Sequence, residues 1–280
     1  MKINAVVLGL ASVMSFSAFA APISVSYGDF SDLSDFQLNG TAASLSPNAD
    51  DVLRLTSTTS QSGSAFLTNA ISLQNQASFS SYFTFQIDNN SGIADVDGVG
   101  ADGIVFTLQT NANTAGGLGG GIGYQGITNS VGIEFDTWNN GSWDDHSGNH
   151  VGVNLNGSVD SVTQVHEATR FNNGAEWSVW VDYDGANDLL DVRYALSDTR
   201  PVLAALSYTV DLGSSFGLND VFVGFTSGTG GAGGQHDITS FSFTNDFDPI
   251  DVNAVPEPAS LAIFGLALAG LGFQVRRRKA

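Results

Sequence analysis

Short β-rich runs recur along this chain from Ile23 to Phe243, separated by clusters of Gly, Asn, Asp and Ser. No segment of useful length carries the 3.6-residue period of an amphipathic helix. The clearest runs are Ala77–Ile87, Gly103–Gln109, Val131–Asp136, Val151–Leu155, Trp177–Tyr183, Leu189–Ala195, Val221–Thr226 and Ile238–Phe243. Many strands without the helical crossovers of a parallel sheet predict an all-β body, folded as a two-sheet antiparallel sandwich of jelly-roll type. The stretch Asp184-Gly185-Ala186-Asn187-Asp188 has the look of a calcium loop, but strand-like WSVWVDY and LLDVRYAL flank it, and a hairpin turn is the simpler reading. Asp95-Val96-Asp97-Gly98 reads as a solvated loop. No internal repeat is evident, so one domain accounts for the body.

Both ends differ from that pattern. Lys2, an apolar run from Ala5 to Phe19, and Ala18 and Ala20 just before Ala21 read as a cleaved secretory signal over residues 1–20. After a sandwich at 21–247 and a linker at 248–255, residues 256–280 form a tail. It begins within Val255-Pro256-Glu257-Pro258, continues as an apolar run from Ala259 to Val275, and ends on Arg276, Arg277, Arg278 and Lys279. The run sits near the short limit of roughly 17 to 25 residues for a transmembrane span, and the basic cluster should stay cytoplasmic. This order resembles the PEP-CTERM sorting signals of exopolysaccharide-producing Gram-negative bacteria. The resemblance implies an exosortase-like processing protease as partner, transient anchoring in the inner membrane through the tail alone, and a final place at the cell surface or in the extracellular matrix.

The 280-residue chain contains no cysteine, so an exported body cannot be stapled by disulfides, and a structural metal gains importance. Without the two ends, the body keeps Arg54, Arg170, Arg193 and Arg200, no lysine, and a net charge near −23 against −19 for the whole chain. Such a surface excludes nucleic acid as a partner and disfavours anionic membranes.

The chemistry concentrates between Glu134 and His150, EFDTWNNGSWDDHSGNH. Its potential metal ligands are Glu134, Asp136, Trp138, Asn140, Asp145 and His150. Residues two apart on a strand share a face, so Glu134 and Asp136 project together, and turns at Gly141 and Gly148 can return Asp145 and His150 to them. Carboxylates with one imidazole suit a transition ion such as Mn²⁺, whereas carboxylates, an Asn amide and a backbone carbonyl suit Ca²⁺. His146 is an alternative to His150, which has the better spacing; His166 and His236 lack carboxylates at ligand spacing and are expected to be solvated or structural.

Read in series, several segments resemble the legume-type (L-type) lectins, a concanavalin-like fold, across roughly Ile23 to Phe247. They are Gly63–Ile87, Ala101-Asp102-Gly103-Ile104-Val105-Phe106, the glycine loop Gly119–Gly123, Val131–Asn140, and Val223-Gly224-Phe225 leading to His236–Phe243. The resemblance implies a non-enzymatic, calcium-dependent carbohydrate-binding protein. It places the transition metal on Glu134, Asp136, Asp145 and His150, and Ca²⁺ on Asp136, Asn140, Asp145 and the Trp138 carbonyl. It also implies a cis peptide between Ala101 and Asp102. A pyranose would then be held by the Asp102 carboxylate, the Gly120 backbone N–H and the Asn140 amide, with Trp138 stacked beneath it. The family's variable specificity loop falls at Thr229–Gln235, which here is glycine-rich and short of side chains. Single-sugar affinity at such sites is weak, so a homo-oligomer or surface array would add multivalency.

Two other readings compete. Laminarinase-like glycoside hydrolases carry E-x-D-x-x-E on a strand of a similar sandwich; Glu134 and Asp136 match its first half, but the second acid falls at Asn139, which cannot protonate a leaving oxygen. A structural matrix protein could keep the sandwich and the calcium without binding sugar.

Overall fold

The computed structural model describes residues 23–252 apart from 48–50, 74, 113 and 218–219. The expected signal at 1–20 and the tail with its expected span at 256–280 lie outside the described residues. Among those described, no helix is long and apolar enough to cross a membrane.

Two eight-stranded antiparallel sheets face each other. One, the back sheet, has the order Leu206–Thr209, Leu189–Ala195, Glu176–Asp184, Phe79–Gly92, Ala232–Thr244, Val52–Thr56, Ala43–Leu45, with Ser24–Tyr27 also pairing with Ala232–Thr244. The front sheet runs Thr163–His166, His150–Leu155, Ser130–Asp136, Gly103–Gln109, Asp220–Gly228, Ser62–Leu67, Phe36–Gly40, with Ile71–Ser72 on Asp220–Gly228. The expected jelly-roll sandwich is thus observed. Among the described residues, helix is confined to Leu212–Phe216 and two 3₁₀ turns.

Period-two alternation explains both faces of the front sheet. Ile104, Phe106 and Leu108, with Val131, Ile133 and Phe135, point into the main core. There aromatic rings interlock: Phe83 lies 5.0 Å from Phe225 and 5.6 Å from Phe106, centroid to centroid. The alternate residues, Val105, Glu134, Asp136, His150, Gly152 and Asn154, project to the outer side. Part of that side is covered by the chain from Gly116 to Ile127, and Val105, Ile122, Tyr124, Ile127 and Val159 form a second, smaller core. Gly132 allows this, because a Cβ there would meet the Tyr124 ring at 2.9 Å. This cover fixes the glycine loop beside the carboxylates.

Two expectations need correction. Thr229–Gln235 is not all loop: Ala232–Thr244 is a single strand that pairs with Phe79–Gly92 as far as Ala232 opposite Gly92. Bulges between Gly233 and Gln235 and between Ile238 and Ser240 absorb the mismatch, and ladder pairing outweighs the weak strand preference of glycine. Only Thr229–Gly231 remains a loop. The Asp95–Gly98 segment is not merely solvated: Asp95 accepts from the backbone N–H groups of Asp97, Gly98 and Asn139, and Arg170 donates to the Asp97 carbonyl. It braces the Trp138–Asn140 loop. Asp184–Asp188 is the expected hairpin turn, with the Asp184 carboxylate accepting from Ala186.

Candidate functional site

Three strand neighbours of the front sheet build the floor of the site. Antiparallel register sets His150 opposite Asp136 and Gly152 opposite Glu134, so side chains distant in sequence meet on one face. Ligating atoms of Glu134, Asp136 and His150 lie within 4.8 Å of one another, and all three residues are buried. His150 Nε2 is 3.1 Å from Glu134 Oε1. Ser161 donates to the same oxygen at 2.6 Å, and Asn154 donates to the other. Glycine at 152 is required, since a Cβ would collide with Ser161 and approach Glu134 Oε1 at 2.6 Å.

The third acid buried beside this cluster is Asp144. A 3₁₀ turn over Gly141–Asp144 returns Asp144 to the start of the turn, where its buried carboxylate accepts from the Asn140 N–H. Asp145 leaves the turn in the left-handed region at φ 50° and points to solvent, 3.9 Å from the exposed His166. Adjacent aspartates are indistinguishable by spacing alone. The four-residue GSWD turn that decides between them is a backbone feature. The structure therefore brings Glu134, Asp136 and His150 together as expected, keeps Asn140 beside them, and leaves Asp145 exposed with Asp144 buried next to it. His146 is exposed in the left-handed region, and His236 is buried against Thr56 Oγ1 at 2.6 Å on the back sheet.

Burial raises the Asp136 carboxyl well above the usual range, reinforced by Asp144 and Glu134 beside it. Asp144 is pushed up to about 6, chiefly by burial. Among the described residues, neither Arg nor Lys pairs with Glu134, Asp136 or Asp144. Several buried carboxylates with one imidazole carry a large desolvation penalty unless a cation joins them. Hard oxygen donors and one ring nitrogen fit divalent ions of the two kinds expected from the sequence.

Next to this cluster lies a second arrangement. The Ala101–Asp102 peptide is cis. Asp102 is buried, its carboxyl is pushed up to about 7 mainly by burial, and its Oδ2 has no partner. The Asn140 Nδ2 is likewise buried without a partner. Its amide lies flat on Gly120, where a Cβ would meet it at 2.6 Å, so the glycine is what admits the side chain. Trp138 is half-buried, and its backbone N–H donates to Asp136 Oδ1 at 2.7 Å. The four residues expected to hold sugar thus sit on the loops around Asp136 and the glycine turn. Sequence reasoning missed Asp144, Asn154, Ser161 and the Asp95 brace. Asn154 and Ser161 join only through strand register, which composition does not reveal.

A family model described as legume lectin domain matches residues 23–257. The chain belongs to the legume lectin family. A second model, the PEP-CTERM protein-sorting motif, matches residues 254–278 of this lectin. Among curated proteins it is 32% identical over 248 residues to L-type lectin-domain containing receptor kinase IV.3 of Arabidopsis thaliana, covering 77% of this chain and 36% of the kinase. It is 33% identical to receptor kinase VIII.1 of the same plant, covering 61% and 24%. The lectin therefore spans about a quarter to a third of the length of such relatives, and their kinase activity lies outside the shared domain. Among solved structures, peanut lectin with a 9mer peptide superposes with a TM-score of 0.66 at 28% identity, covering 80% of this chain and 97% of that one. Winged bean acidic lectin complexed with methyl-α-D-galactose gives 0.68 at 26%, covering 81% and 100%. The hydrolase reading fails on geometry as well: Asn139, where the second acid would stand, uses its side chain to bind the His146 carbonyl and the Gly141 N–H. Legume lectins are non-enzymatic carbohydrate-binding proteins.

Proposed function

We propose that this protein is an exported, calcium-dependent lectin whose sugar site is formed by Asp102, the Gly120 backbone, Trp138 and Asn140. The observation that carries this reading is the pair of unpartnered buried groups, an acceptor at Asp102 Oδ2 and a donor at Asn140 Nδ2, beside a bare glycine turn. Vicinal hydroxyls of a pyranose both donate and accept, and would satisfy both groups. Glu134, Asp136, Asp144 and His150 would hold the transition ion. Asp136, Asp144, Asn140 and the Trp138 carbonyl would hold Ca²⁺, with Asp144 taking the place expected for Asp145. The ions supply positive charge that neutralises the cluster and fixes the loop carrying Trp138 and Asn140.

The sorting motif supports handling by an exosortase and a final location at the cell surface or in the surrounding polysaccharide. Adhesion to the cell's own exopolysaccharide is the role that combines both ends of the reading. Glycan-array binding of the purified chain, with Ca²⁺ and then with a chelator, tests the core claim. Calcium-dependent binding to a defined sugar is expected, and Asp102→Asn should abolish it while leaving the fold intact. A folded, metal-loaded protein that binds no glycan, or an Asp102→Asn variant that binds as before, overturns it.

A further inference from the structure

Asn140, the amide donor of the pocket, is followed by a glycine. An Asn-Gly pair can rewrite itself, because the glycine nitrogen carries no neighbouring side chain and its backbone turns freely. That nitrogen attacks the Asn Cγ, a bond forms between them, and the Cγ–Nδ2 bond breaks. Ammonia leaves with the amide proton, and water opens the resulting succinimide at either carbonyl to give an aspartyl or isoaspartyl residue. At position 140 the exchange would turn a donor into a carboxylate. Asn140 Nδ2, the atom that would leave, is buried without a hydrogen-bond partner.

The chain has four such pairs: Asn39-Gly40, Asn140-Gly141, Asn156-Gly157 and Asn173-Gly174. Three are restrained through the Asn side chain itself. Asn39 Nδ2 donates to Ser64 Oγ at 3.0 Å and to the Ala112 carbonyl at 2.9 Å. Asn156 Oδ1 accepts from the Asn129 N–H at 2.7 Å, and Asn173 Oδ1 from the Ala175 N–H at 2.8 Å. At Asn140 the restraint falls on the glycine and comes from the preceding residue. Asn139 Oδ1 accepts from the Gly141 N–H at 2.8 Å, while Asn139 Nδ2 donates to the His146 carbonyl at 2.7 Å. The Gly141 carbonyl in turn accepts from the His146 N–H at 2.8 Å. One side chain therefore clips both ends of the Gly141–Asp144 turn and holds the proton of the attacking nitrogen. At the observed Asn140 ψ of 20° that nitrogen is turned away from the side chain. Closing the ring requires it to swing about the Cα–C bond, which breaks its bond to Asn139.

We propose that Asn140-Gly141 is a self-modification site held in check by Asn139, which sets how long the pocket keeps its amide donor. The loss of glycan binding that would follow rests on the sugar-binding reading; the chemistry at Gly141 does not.

The test ages the full chain and its Asn139→Ala variant in mildly alkaline buffer, which favours the deprotonated amide, with Ca²⁺ and Mn²⁺ and in parallel with chelator. Peptide mass spectrometry reads deamidation at each of the four pairs. In at least one buffer Asn139→Ala should raise the rate at Asn140 about tenfold or more, the equivalent of the two hydrogen bonds it removes. Rates at Asn39, Asn156 and Asn173 should stay unchanged, since general unfolding would raise all of them. In the parent chain, Asn140 should react at least about tenfold more slowly than in the same chain unfolded in urea. An Asn140 rate that Asn139→Ala leaves unchanged in both buffers, or that rises no more than the other three, overturns the guard. So does a parent chain that reacts as fast folded as unfolded. Glycan binding should fall in step with the fraction modified at Asn140. Binding that persists after Asn140 has reacted refutes the donor role given to Asn140, while the guard stands.

Discussion

Buried carboxylates occur on both outer faces of this sandwich, and they are neutralised in opposite ways. On the back sheet, Asp237 receives two hydrogen bonds from Arg54 at 2.6 and 2.7 Å, and Asp182 is paired with Arg193 at 3.3 Å and Arg200 at 2.5 Å. Three of the body's four arginines are therefore committed to that face. On the front sheet, Asp102, Glu134, Asp136 and Asp144 are equally buried and have no arginine among the described residues. A chain that supplies its own counter-charges on one side and withholds them on the other leaves the second side to be completed from outside. That asymmetry supports placing divalent ions and ligand at the front.

The largest effect should come from removing those ions. Chelation is expected to reduce glycan binding by at least about 100-fold and to lower the melting temperature by about 8–15 °C. The latter follows from losing about 4 kcal/mol of ligand linkage in a domain of this size. Titration calorimetry and thermal melts with and without chelator check it. A melting temperature indifferent to chelator would mean that the front cluster is stable without cations, and the contrast between the faces would collapse.

On the back, one substitution tests the same idea from the other side. Arg54→Met leaves Asp237 buried beside no guanidinium and should cost about 3–5 kcal/mol in urea denaturation. Arg54→Met combined with Asp237→Leu should recover much of that loss. Neither variant should change metal or sugar affinity, because the pair lies across the core from the site. A large change in sugar affinity from Arg54→Met alone would show the faces to be coupled.

His236 distinguishes the faces by pH. It is buried beside Thr56 on the back sheet, and burial lowers its pKa from 6.5 to about 4. Between those values the unfolded chain binds a proton that the folded chain does not. The associated stability is therefore fully present above pH 6.5 and is lost as pH falls towards 4. The gap corresponds to about 3 kcal/mol. His236→Asn should flatten the difference in stability between pH 7 and pH 4 by an amount of that order, measured by denaturation at each pH in the presence of chelator. An unchanged slope would mean that His236 takes up its proton without unfolding.

How much of this was legible beforehand depends on how local the determinant is. Strands such as Gly103–Gln109 and Leu189–Ala195 were predicted with their observed bounds, because alternation and turn residues are properties of neighbours in sequence. Glu134 and Asp136 were correctly placed on one face for the same reason. The glycine-rich start of Ala232–Thr244 reads as loop because its strand character comes from pairing with Asp88–Gly92, a partner about 140 residues away. Asp95 was read as solvated because its partner, the Asn139 N–H, belongs to another loop. Asn154 and Ser161 support Glu134 only once two strand registers are set.

The smallest effect sharpens the front cluster itself. Asp144 and Asp145 are chemically identical neighbours, so substituting each by Asn changes the same charge at nearly the same distance along the chain. If inward geometry decides, Asp144→Asn should weaken Ca²⁺ and Mn²⁺ binding by about 10- to 100-fold, about 1.4–2.7 kcal/mol, and weaken sugar binding in proportion. Asp145→Asn removes a solvent-exposed charge whose partner, His166, is itself exposed, and should change metal affinity by less than about twofold. Metal titration of both variants separates the two. Equal losses would indicate that charge near the loop matters more than ligation. A loss confined to Asp145→Asn would mean that metal binding reverses the turn, drawing Asp145 inward and releasing Asp144. The Asn140 N–H that now holds Asp144 would then lose its acceptor, and a shift in that amide resonance on adding metal would show it.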